Sequence, residues 1–559
     1  MKVNEQQTEK YLLYSPIKRV RLLEGTGTLS TLLHEIKDDR KLSILMTAVH
    51  IVAVGEEYAF FTALVKHAPN VRDSEINVLY DSANITNDSM VPEKLIEELR
   101  LVLKVGKAEE RGFLYDEKKN RYSFNANVFA RHFLQRCHIR STEDGRLFLY
   151  NYKGVYEELS EVHLGKLIRS VMHEGKWNSW KSTYEVEIYK ALQREANTVE
   201  EMNVHRNYLN VENGMLDLST YTLLEHSPKY LSTVQIPIHY DAKATAPKFL
   251  SFLDDITCTD AGLVSVHQEL IGYWLTSETK AEKAVYYYGS GANGKSVLAS
   301  IITELVGPQN VSSVPLSKFN DQFGLESMIG KALNISAENE MGGKALKTEN
   351  FKAIVSGDSI TINIKYRPAI TYRPFCRQVF LVNNLPDSSD VTEGYFRKII
   401  IIPFPRTFKK EERDVNLKNE LLKELPGILN WAIEGLKRLR KNNYQFSSSK
   451  AIESLQESYY NEQNPVQEFF DEYVAIQDDS RTKQSAFFNM YIRWLEIQGI
   501  DDKGTRSRQV FWRYFKIILN NEGVAINKKK VKGTIYFDGL KLQDFEEQNS
   551  RLNENIIPF

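Results

Sequence analysis

The sequence predicts a multidomain α/β protein centred on a mostly parallel sheet with helices on its faces. Three observations lead there. The chain has 559 residues, and at about 150 residues per domain that is roughly three or four domains. Between about 280 and 445, apolar strand-like runs alternate with helical patterns, which favours a parallel sheet. One strand-to-helix passage, residues 286–298 (YYYGSGANGKSVL), is rich in glycine and carries a lone lysine.

The elements follow in order. Residues 1–125 read as mainly helical; VPEKLIEELRLVLKVGKAEE sets Leu95, Leu99 and Val102 at helical spacing. Residues 126–245 read as an α+β domain. RLFLYNYKGVYEEL is a hairpin around Lys153-Gly154, EVHLGKLIRSVMHE a helix, and LNVENGMLDL a hairpin turning at Asn213-Gly214. Residues 246–445 begin with two amphipathic helices, APKFLSFLDDI and VHQELIGYWLTS. KAVYYYG, KALNISAE and RQVFLVNN then read as strands, and KSVLASIITELVG as a helix closing on Gly307. Residues 446–559 hold three helical patterns, NPVQEFFDEYVAI, QSAFFNMYIRWLEIQ and SRQVFWRYFKIILNNEG, and then a strand pair, VAINKKKVKGTIYFDGLKL. Helices followed by a basic hairpin predict a winged-helix module.

Composition excludes little. The chain is 42% hydrophobic and 26% charged, and 72 basic residues nearly cancel 73 acidic ones. Net charge therefore neither requires nor forbids a polyanionic partner, and local patches must decide. Three scattered cysteines, Cys137, Cys258 and Cys376, give no zinc pattern or disulfide framework. The polar start lacks a signal-peptide core, and the apolar run at 42–54 is too short to span a bilayer. A cytoplasmic protein without a membrane partner is expected.

The glycine-rich stretch fits G-x-x-x-x-G-K-[ST] at Gly289, Gly294, Lys295 and Ser296, with a strand before it and a helix after. Gly291 and Asn293 lie inside it. Glycines let consecutive N–H groups curl around an anion, and the helix adds its positive end. ATP is the expected ligand. Lys295 would reach its β- and γ-phosphates, and Ser296 would ligate Mg²⁺. Such a loop serves kinases, GTPases and motors alike.

Downstream residues narrow the choice. LNISAENE ends a strand in Glu338 and Glu340, where a carboxylate can hold Mg²⁺ or polarise a water. RQVFLVNNLP ends a strand in Asn383, a neutral amide able to place water against a γ-phosphate; a polar turn would also suit Leu385-Pro386. GYFRKIIIIPF sets Arg397 and Lys398 before another strand, where a cation could act on a neighbouring subunit's phosphate. SGDSITINIKYRPAITYRPF reads as a hairpin with Lys365, Tyr366 and Arg367 at its tip. Cations around a ring suit single-stranded DNA, because the ring stacks on any base. An exposed solubilising tip has the same composition.

In this order the motifs resemble those of superfamily 3 helicases, above all the phage and plasmid P4-type primase-helicases and the poxvirus D5-like proteins. The resemblance covers roughly residues 125–545. It implies an AAA+ ATPase assembled as a ring, commonly a homo-hexamer, moving 3′ to 5′ along DNA to start replication of a phage, plasmid or genomic island. Other replication proteins are possible partners. By motif, Lys295 and Ser296 bind nucleotide and Mg²⁺, Glu338 is the acidic residue with Glu340 second, and Asn383 is the sensor. Arg397 is the finger acting in trans, and Lys365 tracks DNA beside Tyr366 and Arg367. Many relatives have Arg-Arg where this chain has Arg397-Lys398. No acidic metal-binding pair of a primase is legible in residues 1–125, so no primer synthesis is expected.

Between Lys503 and Lys532 stand nine lysines and arginines against one acid, Glu522. Arg506, Arg508 and Arg513 fall on or before a helix, and Lys528, Lys529 and Lys530 in the wing. Duplex DNA is the expected partner, bound in a salt-dependent way. Two other functions share the ATP site: a small-molecule kinase, and an initiator or packaging ATPase that binds DNA without unwinding it.

Overall fold

A computed structural model describes residues 108–543, apart from 177–178, 338–344, 389, 391, 500–506 and 525–526. The expectations for residues 1–107, and for Glu338, Glu340 and Arg506, lie outside the described residues. The chain divides into two compact units between Tyr240 and Asp241.

The described part of the first unit starts with a short 3-10 turn (Ala108–Arg111) and a hairpin, β1 (Phe113–Asp116) and β2 (Arg121–Phe124), in place of the helix that the sequence predicts up to residue 125. Helix α1 (Ala126–Arg136) starts at Asn125, whose side chain accepts from the N–H groups of Asn127 and Val128. Then come β3 (Ile139–Thr142), β4 (Leu147–Tyr150), β5 (Tyr156–Glu158), α2 (Glu161–Gly175), α3 (Ser182–Glu195) and β6 (Asn197–Val199). The sheet order is β5-β4-β3-β6. Phe113, Phe129, Leu149, Ile168 and Leu192 close its core. A second small sheet is made of β7 (Tyr208–Val211), β8 (Gly214–Asp217) and β9 (Leu223–Leu224), with its first turn at Asn213-Gly214 as the sequence indicates.

The second unit begins with α4 (Pro247–Thr257) and α5 (Ala261–Trp274) and then builds its main sheet. In chain order its elements are β10 (Ala284–Tyr288), α6 (Lys295–Val306), β11 (Val311–Ser312), β12 (Leu333–Ser336), α7 (Thr348–Ser356), the hairpin β13 (Ile360–Ile362) and β14 (Ile370–Tyr372), β15 (Arg377–Val382), α8 (Glu393–Phe396) and β16 (Ile399–Pro403). The five-stranded order is β11-β12-β15-β10-β16, and every pairing is parallel. All six residues of β15 and the first four of β10 and β16 are buried, as strands covered on both faces must be. The parallel α/β core expected between 280 and 445 is therefore present.

Helices α9 (Leu417–Leu422), α10 (Leu425–Lys441) and α11 (Lys450–Gln463) lead to the last module. It consists of α12 (Pro465–Tyr473), β17 (Val474–Lys483), α13 (Gln484–Gln498), α14 (Arg508–Asn521), β18 (Asn527–Val531) and β19 (Thr534–Leu542). The expected helix NPVQEFFDEYVAI stops at Tyr473. Val474 instead pairs with Leu542, so the chain turns into a strand, and β17 joins the expected hairpin in the order β17-β19-β18. Among the described residues, no helix is long and apolar enough to cross a membrane.

Candidate nucleotide-binding site

The loop between β10 and α6 lies at the C-terminal edge of the parallel sheet, where such sheets bind ligands. Its backbone needs unusual angles: φ is +105° at Gly291, +48° at Ala292 and +86° at Gly294. Gly294 also has no room for a side chain, because a Cβ there would lie 2.6 Å from Ile256 Cγ2 on α4. The loop is tied down on both sides. Gly289 N–H donates to Val382 O at 3.3 Å, and Phe408 N–H to Ala292 O at 2.8 Å.

Lys295 opens α6 and is buried. Its ammonium donates to Gly289 O, to Val382 O at 3.3 Å and to Asn383 Oδ1 at 3.2 Å. Burial pushes its pKa down. Asn383 follows β15, which lies between β10 and β12, and Tyr288 faces Val382 in register. Two segments far apart in sequence thus deliver the lysine and the asparagine to one point. Ser296 is exposed on the first turn of α6. Asn293 is buried, and its Nδ2 finds no hydrogen-bond partner among the described residues. A glycine-rich loop with positive φ angles, a lysine and an exposed hydroxyl at a helix start are the groups that could hold a nucleotide phosphate and its Mg²⁺, the ion at Ser296. β12 ends at Ser336, two residues before Glu338.

Arg397 is elsewhere. It is exposed just before β16, and Ile399 of that strand faces Ala284 at the start of β10. Five residues of β10 separate it from the loop, about 16 Å at strand rise, so an arginine there does not reach its own chain's phosphate site. Lys398 is buried, with its ammonium on Glu282 Oε2 at 2.7 Å and on Ser356 Oγ.

The hairpin β13–β14 lies between α7 and the start of β15. Lys365, Tyr366 and Arg367 are all exposed at its tip, and Tyr366 is 105% exposed with φ +62°. Phe323, 38% exposed, lies 6.0 Å from the Lys365 ammonium. Sequence reading missed Phe323, because nothing local separates it from the buried Phe319 four residues earlier.

In the last module Arg508 and Arg513 are exposed on α14, and Lys528, Lys529 and Lys530 line the edge strand β18. Phe511 and Phe515 of the same helix are buried core and present no ring to a ligand. Among the described residues, no group of three or more His, Cys, Asp or Glu could hold a metal ion.

A glycine-rich loop closing on a lysine, set between a parallel strand and a helix, defines a P-loop-type α/β domain. Comparison with known proteins narrows this further. Residues 126–258 match the family described as "D5 N terminal like", and residues 287–398 match a "Family of unknown function (DUF5906)". "Putative helicase 184R" of Invertebrate iridescent virus 6 is 21% identical over 380 residues, covering 60% of this chain and 37% of that protein. "Putative helicase L207/L206" of Acanthamoeba polyphaga mimivirus is 27% identical over 153 residues, covering 26% and 16%. The chain therefore spans well under half the length of either relative. The solved apo structure of the NrS-1 C-terminal region is 12% identical with a TM-score of 0.46, covering 75% of this chain and all of that one. Over residues 126–258 the chain is thus similar to D5-like proteins, and the relatives it resembles carry helicase names.

Proposed function

We propose that this chain is an ATP-driven DNA helicase of the superfamily 3, AAA+ type that works as a ring of identical subunits, a hexamer, to begin replication of a mobile element in the cytoplasm. One observation carries the reading. The Lys295–Asn383 pair lies at one edge of the sheet, while Arg397 is exposed at the opposite edge, about one strand length away. A cation so placed serves the nucleotide of a neighbouring copy, which is the arrangement a ring requires. The names of the viral relatives support the same reading.

In this reading Gly289, Gly291, Asn293 and Gly294 cradle the phosphates of ATP, and Lys295 leaves Gly289 O and Asn383 to meet them. Ser296 and Glu338 would hold Mg²⁺, which when bound would offset negative charge on the phosphates. Glu338, with Glu340 second, polarises the attacking water, and Asn383 orients it. Arg397 stabilises charge on the neighbour's phosphate, a contribution on the order of 10³–10⁵ in rate. Lys365, Tyr366, Arg367 and Phe323 grip one DNA strand, moving 3′ to 5′. The last module is a winged helix whose Arg506, Arg508, Arg513, Lys528, Lys529 and Lys530 hold duplex phosphates. Opening each base-pair step costs about 1.4 kcal/mol of stacking.

The test is strand displacement on duplexes tailed at either end. The wild-type chain should open the 3′-tailed duplex with ATP and Mg²⁺, and Lys295→Ala should open neither. Duplex binding with ATP turnover but no opening would replace this reading with a non-unwinding initiator or packaging ATPase.

A further inference from the structure

Lys398 follows Arg397 in sequence and touches the end of α7, the helix that leads into the hairpin. Its buried ammonium donates to Glu282 Oε2 at 2.7 Å and to Ser356 Oγ. Each partner belongs to a different working part. Glu282 lies two residues before β10, the strand that feeds the phosphate loop. Ser356 is the last residue of α7, and its C-cap, Gly357, leads straight into the hairpin. Gly357 is fixed in place: φ is +74°, an added Cβ would lie 2.8 Å from Thr279 Cγ2, and its carbonyl accepts from Arg373 Nε at 3.2 Å, just past the returning strand. The neighbouring Lys283 ammonium donates to the carbonyl of Arg397 itself. Lys398 therefore joins the end of α7 to the segment before β10, and Lys283 on that segment holds the backbone of Arg397. A buried charge that loses a partner is costly, so these contacts hold their geometry as a unit.

We propose that Lys398 is a positioning residue that couples hairpin movement to Arg397, through Ser356 on one side and Glu282 with Lys283 on the other. This rests on the function proposed above, in which Arg397 acts on a neighbour's nucleotide and the hairpin on DNA. A shift of the hairpin root drags Ser356, and through Lys398 it re-aims the adjacent arginine.

The experiment measures ATP turnover with and without single-stranded DNA, using the full chain. The variants are Ser356→Ala, Lys398→Met and the exchange Glu282→Lys with Lys398→Glu. Ser356→Ala removes only the link to the hairpin; turnover without DNA should stay near wild type, while stimulation by DNA falls about tenfold, as expected for one charge-assisted hydrogen bond. Lys398→Met should lose the stimulation too, and the exchange should recover a large part of what Lys398→Met loses, since a carboxylate at 398 can still pair with a lysine at 282 and accept from Ser356. A merely structural role would lower the melting temperature and leave the stimulation ratio unchanged. If the wild type is stimulated and Ser356→Ala and Lys398→Met are stimulated equally, the coupling role is wrong and the helicase reading stands. If the wild type ignores single-stranded DNA, both are wrong.

Discussion

Gly294 shows how much one position constrains the candidate nucleotide site. A side chain there faces two penalties, a left-handed backbone and a contact with Ile256. Gly291 faces only the first, since nothing lies within 4 Å of its added Cβ. Gly294→Ala should therefore cost about 1–3 kcal/mol more than Gly291→Ala in folding stability, nucleotide affinity or both. Thermal melting and nucleotide titration of the two variants would check this, and equal losses would refute it. The loop was legible because its chemistry is local: glycine, lysine and serine at fixed spacing between a strand and a helix. The difference in surroundings between Arg397 and Lys398 was not. What separates them is that Lys398 is buried against Glu282 and Ser356, contacts that span 116 and 42 residues. No pattern within GYFRKIIIIPF carries that information.

Among the elements, the hairpin and the last module make opposite cases. The hairpin was readable because two β-rich runs flank a polar tip, and Ile360 does face Tyr372 across it. Its tip is also where stability and function separate. Tyr366 buries nothing, so Tyr366→Ala should change stability by no more than about 0.5 kcal/mol. If the ring stacks on a base, the same change should weaken single-strand binding by about 1–3 kcal/mol. Fluorescence anisotropy with a labelled oligonucleotide, alongside a melting curve, measures both, and unchanged affinity would remove Tyr366 from the DNA path. In the last module the apolar spacing of PVQEFFDEY extends naturally into VAI, so a helix was the local reading. Pairing of β17 with β19, 68 residues on at Val474 and Leu542, overrides it. Parallel pairing in the main sheet is equally non-local, but there long apolar runs announced it.

For the molecule as a whole, each of the two units has its own apolar core, so heat should melt the chain in two transitions rather than one. Acid should act unevenly on them. His267, on α5, is buried under β10 among the rings of Tyr287 and Phe404, with its Nδ1 3.3 Å from the Tyr287 hydroxyl. Burial pushes its pKa down to about 3. The unfolded chain takes up this proton below about 6.5, and the folded chain does not until about pH 3. The unfolded state therefore binds more protons across that window, and stability falls as pH drops, by up to about 1.4 kcal/mol per pH unit from this group. Calorimetry between pH 7 and 5 should show the transition of the unit after residue 240 moving down with acid. In His267→Gln, which stays neutral throughout, that movement should be smaller by His267's share. Hydrogen exchange on the phosphate-loop strand assigns the transition. An identical pH slope in the variant would mean that the imidazole is already protonated in the folded core, contrary to its burial between two aromatic rings.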